Sequence, residues 1–162
     1  MILAATGHRP DKLGGYSYDA EIKLESIASK WLYDNKSALD ITSVIVGMAQ
    51  GWDLAVAKAC INTKIPFTAA IPFVGQETVW PIAKQLYYQF ILNQAEKIVI
   101  VSKGIYTSKK MQKRNVYMVD HSDQILAMWD QSPGGTANCV KYAKAQNKPI
   151  INLYDQYHYP LL

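Results

Sequence analysis

Six short apolar runs punctuate this chain, and none of them alternates. They fall at residues 2–6, 41–46, 66–71, 97–101, 124–129 and 149–153. An unbroken apolar run has no face to offer water, so each reads as a strand buried on both sides, as in a parallel sheet. Helical patterns fill the intervals. Residues 17–36 carry Ile22, Ile27, Ala28, Trp31 and Leu32 at helical spacing, and residues 52–62 form a helix rich in small side chains. Residues 76–94 read as one helix with Val79, Ile82, Ala83, Leu86, Phe90 and Ile91 on one side. Residues 111–120 and 136–146 supply two more, 103–109 is a polar loop, and 154–162 is an aromatic, Pro-ended tail. Strand and helix alternate throughout, with no repeat or linker. The expectation is one doubly wound α/β domain over residues 1–162, with a mostly parallel sheet of about six strands, helices on both faces and right-handed crossovers. Strand order is not written in local pattern.

Two glycine-rich turns each join a strand to a helix: Gly47-Met48-Ala49-Gln50-Gly51-Trp52-Asp53 and Ser132-Pro133-Gly134-Gly135-Thr136. Such a turn aims free backbone N–H groups and a positive helix end at one spot, which suits an anion such as phosphate. In a parallel sheet both turns gather at the carboxyl edge. Gly47 and Gly51 permit unusual dihedrals and close backbone approach, with Ala49 and Gln50 between them. Asp53 reads either as a helix-dipole partner or as an acceptor for a ribose hydroxyl. The spacing G-x-x-x-G-x-D is not the dinucleotide fingerprint G-x-G-x-x-G. For Pro133, Gly134, Gly135 and Thr136, a turn alone accounts for the residues, but their place between strand and helix favours an anion nest. At the end of the first strand lie Thr6, Gly7, His8 and Arg9. Arg9 offers a planar fork of donors suited to phosphate, and His8 reads as a ligand contact or as a structural histidine. Lys109, Lys110 and Lys113 read as a solvated face.

Bulk properties narrow the classes. The net charge of +4 suits an anionic ligand and is too small to demand nucleic acid. Cys60 and Cys139 read as buried free thiols. No metal-ligand spacing occurs, and no cofactor is expected. The start MILAATGHRP lacks a basic leader and its apolar run is short, so a cytoplasmic protein without membrane association is expected.

Four segments carry a family resemblance: TGHRPDKLGGY at 6–16, GMAQGWDLAVAKA at 47–59, RNVYMVDHSD at 114–123 and PGGT at 133–136. Together they resemble the SLOG superfamily of Rossmann-like domains, which includes the LOG phosphoribohydrolases and the DNA-processing protein DprA, and most of all its YpsA-type branch. LOG enzymes pair M-x-x-R-K-x-x-M with P-G-G-x-G-T-x-x-E. Met111, Arg114 and Met118 match the first, with Asn115 in place of its lysine. Pro133, Gly134 and Gly135 begin the second, but Ala137, Asn138 and Lys141 replace its third glycine, threonine and glutamate. A carboxylate orients water or stabilises the sugar cation during glycosidic cleavage, and lysine does neither well. The resemblance therefore implies a ligand pocket that includes Arg114, with weakened support for LOG-type catalysis.

The reading that follows is a binding protein for a nucleotide or nucleotide-derived signal (ADP-ribose-, NAD- or cyclic-nucleotide-like), acting as sensor or sequestering protein. What the resemblance implies of superfamily members in antiphage defence motivates that setting. Asp53 and Thr136 are candidates to hold sugar or phosphate oxygens, and Trp52 or Trp80 to cover a base. The alternative is a nucleoside-5'-monophosphate phosphoribohydrolase or related N-glycosidase, with Asp53, Glu77 or Asp120 as substitute carboxylates. Single-stranded nucleic-acid binding, which the likeness to DprA allows, ranks third. The resemblance also implies a homo-oligomer, and Trp31, Tyr33, Tyr87 and Tyr88 offer aromatic surface for it or for the monomer's own core.

Overall fold

A computed structural model describes residues 1–158. Six strands form one all-parallel sheet: β1 Ile2–Gly7, β2 Ser43–Val46, β3 Phe67–Ile71, β4 Lys97–Ile100, β5 Gln124–Met128 and β6 Ile150–Asn152. The helices between them are α1 Tyr18–Asn35, α2 Trp52–Thr63, α3 Ile82–Leu92, α4 Ser108–Asp120 and α5 Gly135–Ala145, followed by a short α6, Tyr154–His158. The rest of the expected tail, 159–162, lies outside the described residues.

The spatial order β4-β3-β2-β1-β5-β6 is what local sequence does not encode. The chain steps outward from β1 to β4, then returns across the sheet to lay β5 on the other side of β1. That reversal makes the β1/β5 gap a topological switch point, where two loops diverge and leave a crevice. One face of the sheet is covered by α1, α2 and α3, whose Leu24, Ala28, Val56 and Tyr88 pack on Leu3, Val44 and Phe67. The other face is covered by α4 and α5, through Met118, Val119, Cys139 and Ala143 on Ala4, Ile125 and Ala127. Cys60 and Cys139 are buried and unpaired. Among the described residues no helix is long and apolar enough to cross a membrane.

One expected helix is divided. Residues 76–94 form a 3₁₀ turn at Gln76–Val79, a break at Trp80 and Pro81, and then α3. Pro81 has no N–H to continue a helix but suits the position just before one. The expected buried side is altered as well. Tyr88 and Ile91 enter the core, while Val79, Ile82, Leu86 and Phe90 remain exposed. Strand β4 is also not sealed on both faces, since Ile98 and Ile100 are exposed at the sheet edge.

Candidate functional site

The crevice at the switch point is a cleft of about 420 Å³. Four loops build it: those after β1, β2, β4 and β5. Thr6, Gly7, His8, Arg9, Ala49, Asp53, Arg114, Pro133, Gly134, Gly135 and Thr136 all line it. Gly47, Gln50 and Gly51 do not. Among the described residues eight polar or charged side chains are buried, and six of them, Thr6, His8, Asp53, Arg114, Asn115 and Thr136, face this one cleft. Burying polar groups is costly, so their concentration at one place needs a reason beyond packing.

The two glycine turns differ in kind. The turn after β2 is closed by the protein itself. A Cβ on Gly47 would lie 2.6 Å from Arg114 Cζ and 2.7 Å from Asp53 Oδ2, and one on Gly51 would lie 2.5 Å from the His8 carbonyl. The donors of the α2 N-terminus are largely spent: Trp52 N–H donates to His8 O (3.3 Å) and Leu54 N–H to Ala49 O (3.2 Å). Trp52 itself is fully buried against Gly7, with its indole N–H on Leu126 O, so it is not available to cover a base. Glycine is needed here for the close packing of β1, α2 and Arg114.

The turn after β5 is open. Gly134 has φ +143°, a region that favours glycine, and neither Gly134 nor Gly135 has any atom within 4 Å of where a Cβ would stand. The first rung of the α5 ladder is Asn138 N–H to Gly134 O. The N–H groups of Gly135, Thr136 and Ala137 therefore precede the ladder, and no side chain caps them. Two of these donors, on Gly135 and Thr136, belong to residues that line the cleft, and the positive helix end faces it with them.

Charge is arranged around that helix end. Arg114 is held from α4, with Nη1 donating to Gly47 O (2.5 Å) and Nε to Asn115 Oδ1 (3.0 Å). Its guanidinium stands 4.0 Å from Asp53 Oδ2. Burial pushes the Asp53 carboxyl above its ordinary value, opposed by Arg114, the Ala49 N–H and Arg9. Lys12, at the end of a 3₁₀ turn over Pro10–Lys12, donates to Ser132 Oγ (2.7 Å), tying the loop after β1 to the loop after β5. Lys141, at the LOG glutamate position, is exposed and does not line the cleft. The buried carboxylate present there is Asp53.

His8 has a partner that sequence reasoning missed. Its Nε2 lies 2.6 Å from Asp130 Oδ1 and 3.1 Å from the Asp130 N–H. One tautomer donates to the carboxylate and the other accepts from the amide. Asp130 is held well below the usual carboxylate range by Ser132, hydroxyl and N–H, and then by His8. Its signal was its position at the end of β5, beside the glycine turn. Lys12 and Tyr106 are further lining residues not singled out from sequence, and Asn115 and Asn138, noted there only as departures from the LOG pattern, line the cleft too.

Fold and cleft together define a Rossmann-like α/β domain with a polar, anion-compatible pocket at its switch point. The family model YpsA, described as the YspA SLOG family, matches residues 3–158, and the chain belongs to that family. It is 41% identical over 117 residues to the uncharacterized SPbeta prophage-derived protein YoqJ of Bacillus subtilis (strain 168), covering 62% of this chain and 68% of that one. It is 28% identical over 166 residues to a UPF0398 protein of Bacillus cereus (strain B4264), covering 96% and 88%. Among solved structures it is similar in fold to DprA of Helicobacter pylori, described for its single-stranded DNA binding mode (TM-score 0.65, 16% identity), and covers 93% of this chain and 63% of that one. DprA of Streptococcus pneumoniae is similar too (TM-score 0.62, 15% identity), with 92% of this chain on 48% of that one, so the chain spans about half its length. TM1055, a structural-genomics target, matches at TM-score 0.61 and 15% identity over 99% and 82%.

Proposed function

We propose that this protein binds a nucleotide or a nucleotide-derived signalling molecule in the switch-point cleft, as a sensor or sequestering protein. The observation that carries the reading is the open N-terminus of α5, where three unspent N–H groups adjoin six buried polar side chains. Phosphate oxygens would take the Gly135–Ala137 amides and Arg9, and sugar hydroxyls would take Asp53 or Asn115. Similarity to a prophage-derived protein supports a setting in phage–bacterium contact, and a nucleotide ligand fits a cytoplasmic one. Isothermal titration with ADP-ribose, cyclic ADP-ribose, NAD and simple nucleotides tests it. Saturable heat from at least one is expected; no heat from any ends this reading.

The glycosidase alternative gains one observation, a buried carboxyl, Asp53, lining the cleft with a raised pKa. Incubation with AMP followed by chromatography should show no free base; base release abolished by Asp53→Asn would establish the enzyme instead. Similarity to a DprA that binds single-stranded DNA keeps that third class in view, and it predicts steeply salt-dependent gel shifts.

Self-association belongs to the same proposal, on a surface larger than the expected aromatic one. Tyr88 is buried, Trp31 and Tyr87 pack against the core, and of the four only Tyr33 stays exposed. The exposed apolar stripe is Ile82, Leu86 and Phe90 on α3, beside Ile98 and Ile100 on the same sheet face. A two-fold axis at the β4 edge would make this surface complementary to itself.

A further inference from the structure

A second concavity of about 860 Å³ adjoins the cleft along the carboxyl rim, over β3 and β4. The two share Arg9, Ala49, Tyr106 and Met111, so they are compartments of one trough. Their chemistries are opposite. The cleft presents amides, guanidinium and carboxylate, whereas the basin is walled by Phe73, Val74, Val79, Trp80, Ile105 and Tyr106. Val79 and Ile105 are 87% and 82% exposed, an unusual fate for large apolar side chains around a hollow.

The aromatic walls are braced by ring contacts, one of them with a buried ring behind the basin. Trp80 meets the buried Tyr88 edge-to-face at 5.4 Å, and Phe73 meets Tyr106 edge-to-face at 6.3 Å. Gln76 Nε2 reaches Gly47 O, Met48 O and Tyr88 Oη, each at 3.4 Å, linking the basin's loop to the closed glycine turn beside the cleft. The basin is therefore built on the same frame as the cleft. Small-molecule sites usually occupy about 300–1,000 Å³. The cleft alone falls in that range, and cleft plus basin exceed it.

We infer that the basin receives a second planar ring of the ligand whose phosphate-bearing part occupies the cleft, so that the molecule bound is a two-ring, dinucleotide-type compound rather than a mononucleotide. This rests on the reading of the cleft as a nucleotide site. Arg9, exposed and common to both compartments, stands where the bridging phosphates of such a molecule would lie. An aromatic ring seated against fixed aromatic walls gains apolar burial and ring–ring contact together.

The test compares ADP-ribose, which carries one planar base, with NAD and diadenosine diphosphate, which carry a second. Isothermal titration is run on the wild-type chain and on Ile105→Ser and Val79→Ser, two exposed positions that touch the basin and not the cleft. The better two-base probe should bind about tenfold tighter than ADP-ribose. Either substitution should erase that advantage and leave ADP-ribose affinity within about twofold, with thermal melting unchanged. Equal affinity for one-base and two-base probes overturns the inference and leaves the cleft reading standing. So does equal weakening of both probes, which would put the first ring in the basin. A variant that changes only the sedimentation of the protein, with no change in affinity, assigns the basin to a second copy and also overturns it. If no probe binds, the cleft reading and the inference fall together.

Discussion

Gly47 and Gly135 are the same residue in similar strand–turn–helix contexts, yet their surroundings give them opposite roles. A methyl group on Gly47 would press into Arg114 and Asp53, whereas one on Gly135 meets nothing within 4 Å. Gly47→Ala should cost about 1–3 kcal/mol of stability through overpacking. Gly135→Ala should change stability by no more than about 0.5 kcal/mol, while weakening any anion at the α5 N-terminus. Urea denaturation and ligand titration on the two variants check this pair. A second residue-scale prediction concerns acid. The Asp130 carboxyl is held below its ordinary value of 3.8 in the folded state, so the folded state binds fewer protons there than the unfolded chain. Its contribution is present above that value and is lost as pH falls below it. Asp130→Asn should flatten the acid limb of the stability curve below about pH 4, read by denaturant midpoints against pH. Asp53 is shifted the other way, so its burial lowers stability as pH rises through its raised folded value.

At the scale of elements, α2 and α5 both begin at glycine-capped turns, but only α5 keeps its first donors free. The difference lies in neighbours: the loop after β1 reaches across to accept the Trp52 N–H, while no protein acceptor takes the N–H groups of Gly135 to Ala137. Hydrogen exchange should report it. The amides of Gly135, Thr136 and Ala137 should exchange fast in the free protein and slow on ligand binding. Those of Trp52 and Leu54, already bonded, should change little. Protection at Trp52 instead would move the anion to the first turn. Helix α3 makes a similar point about burial. Pro81 and the edge position of β4 turn a pattern that reads as core-facing into an exposed stripe.

For the whole molecule, that stripe predicts association. If the α3–β4 face joins two copies, Leu86→Glu should shift sedimentation from dimer toward monomer without loss of secondary structure, because Leu86 is 67% exposed in the single chain. An unshifted profile would remove this surface from consideration. The sheet's six strands, their parallel sense and the site's location at the carboxyl edge were legible in the chain, because buried strands and strand–glycine–helix turns leave contiguous signatures. The SLOG motifs carried most of the cleft residues in the same way. Pairings across many residues left no such mark: His8 with Asp130, Lys12 with Ser132, Arg114 with Gly47. Local backbone and side-chain chemistry marked both glycine turns as candidate anion sites in the sequence. Only the tertiary structure decided which turn was open and which was filled, because occupancy of space is settled by residues distant along the chain.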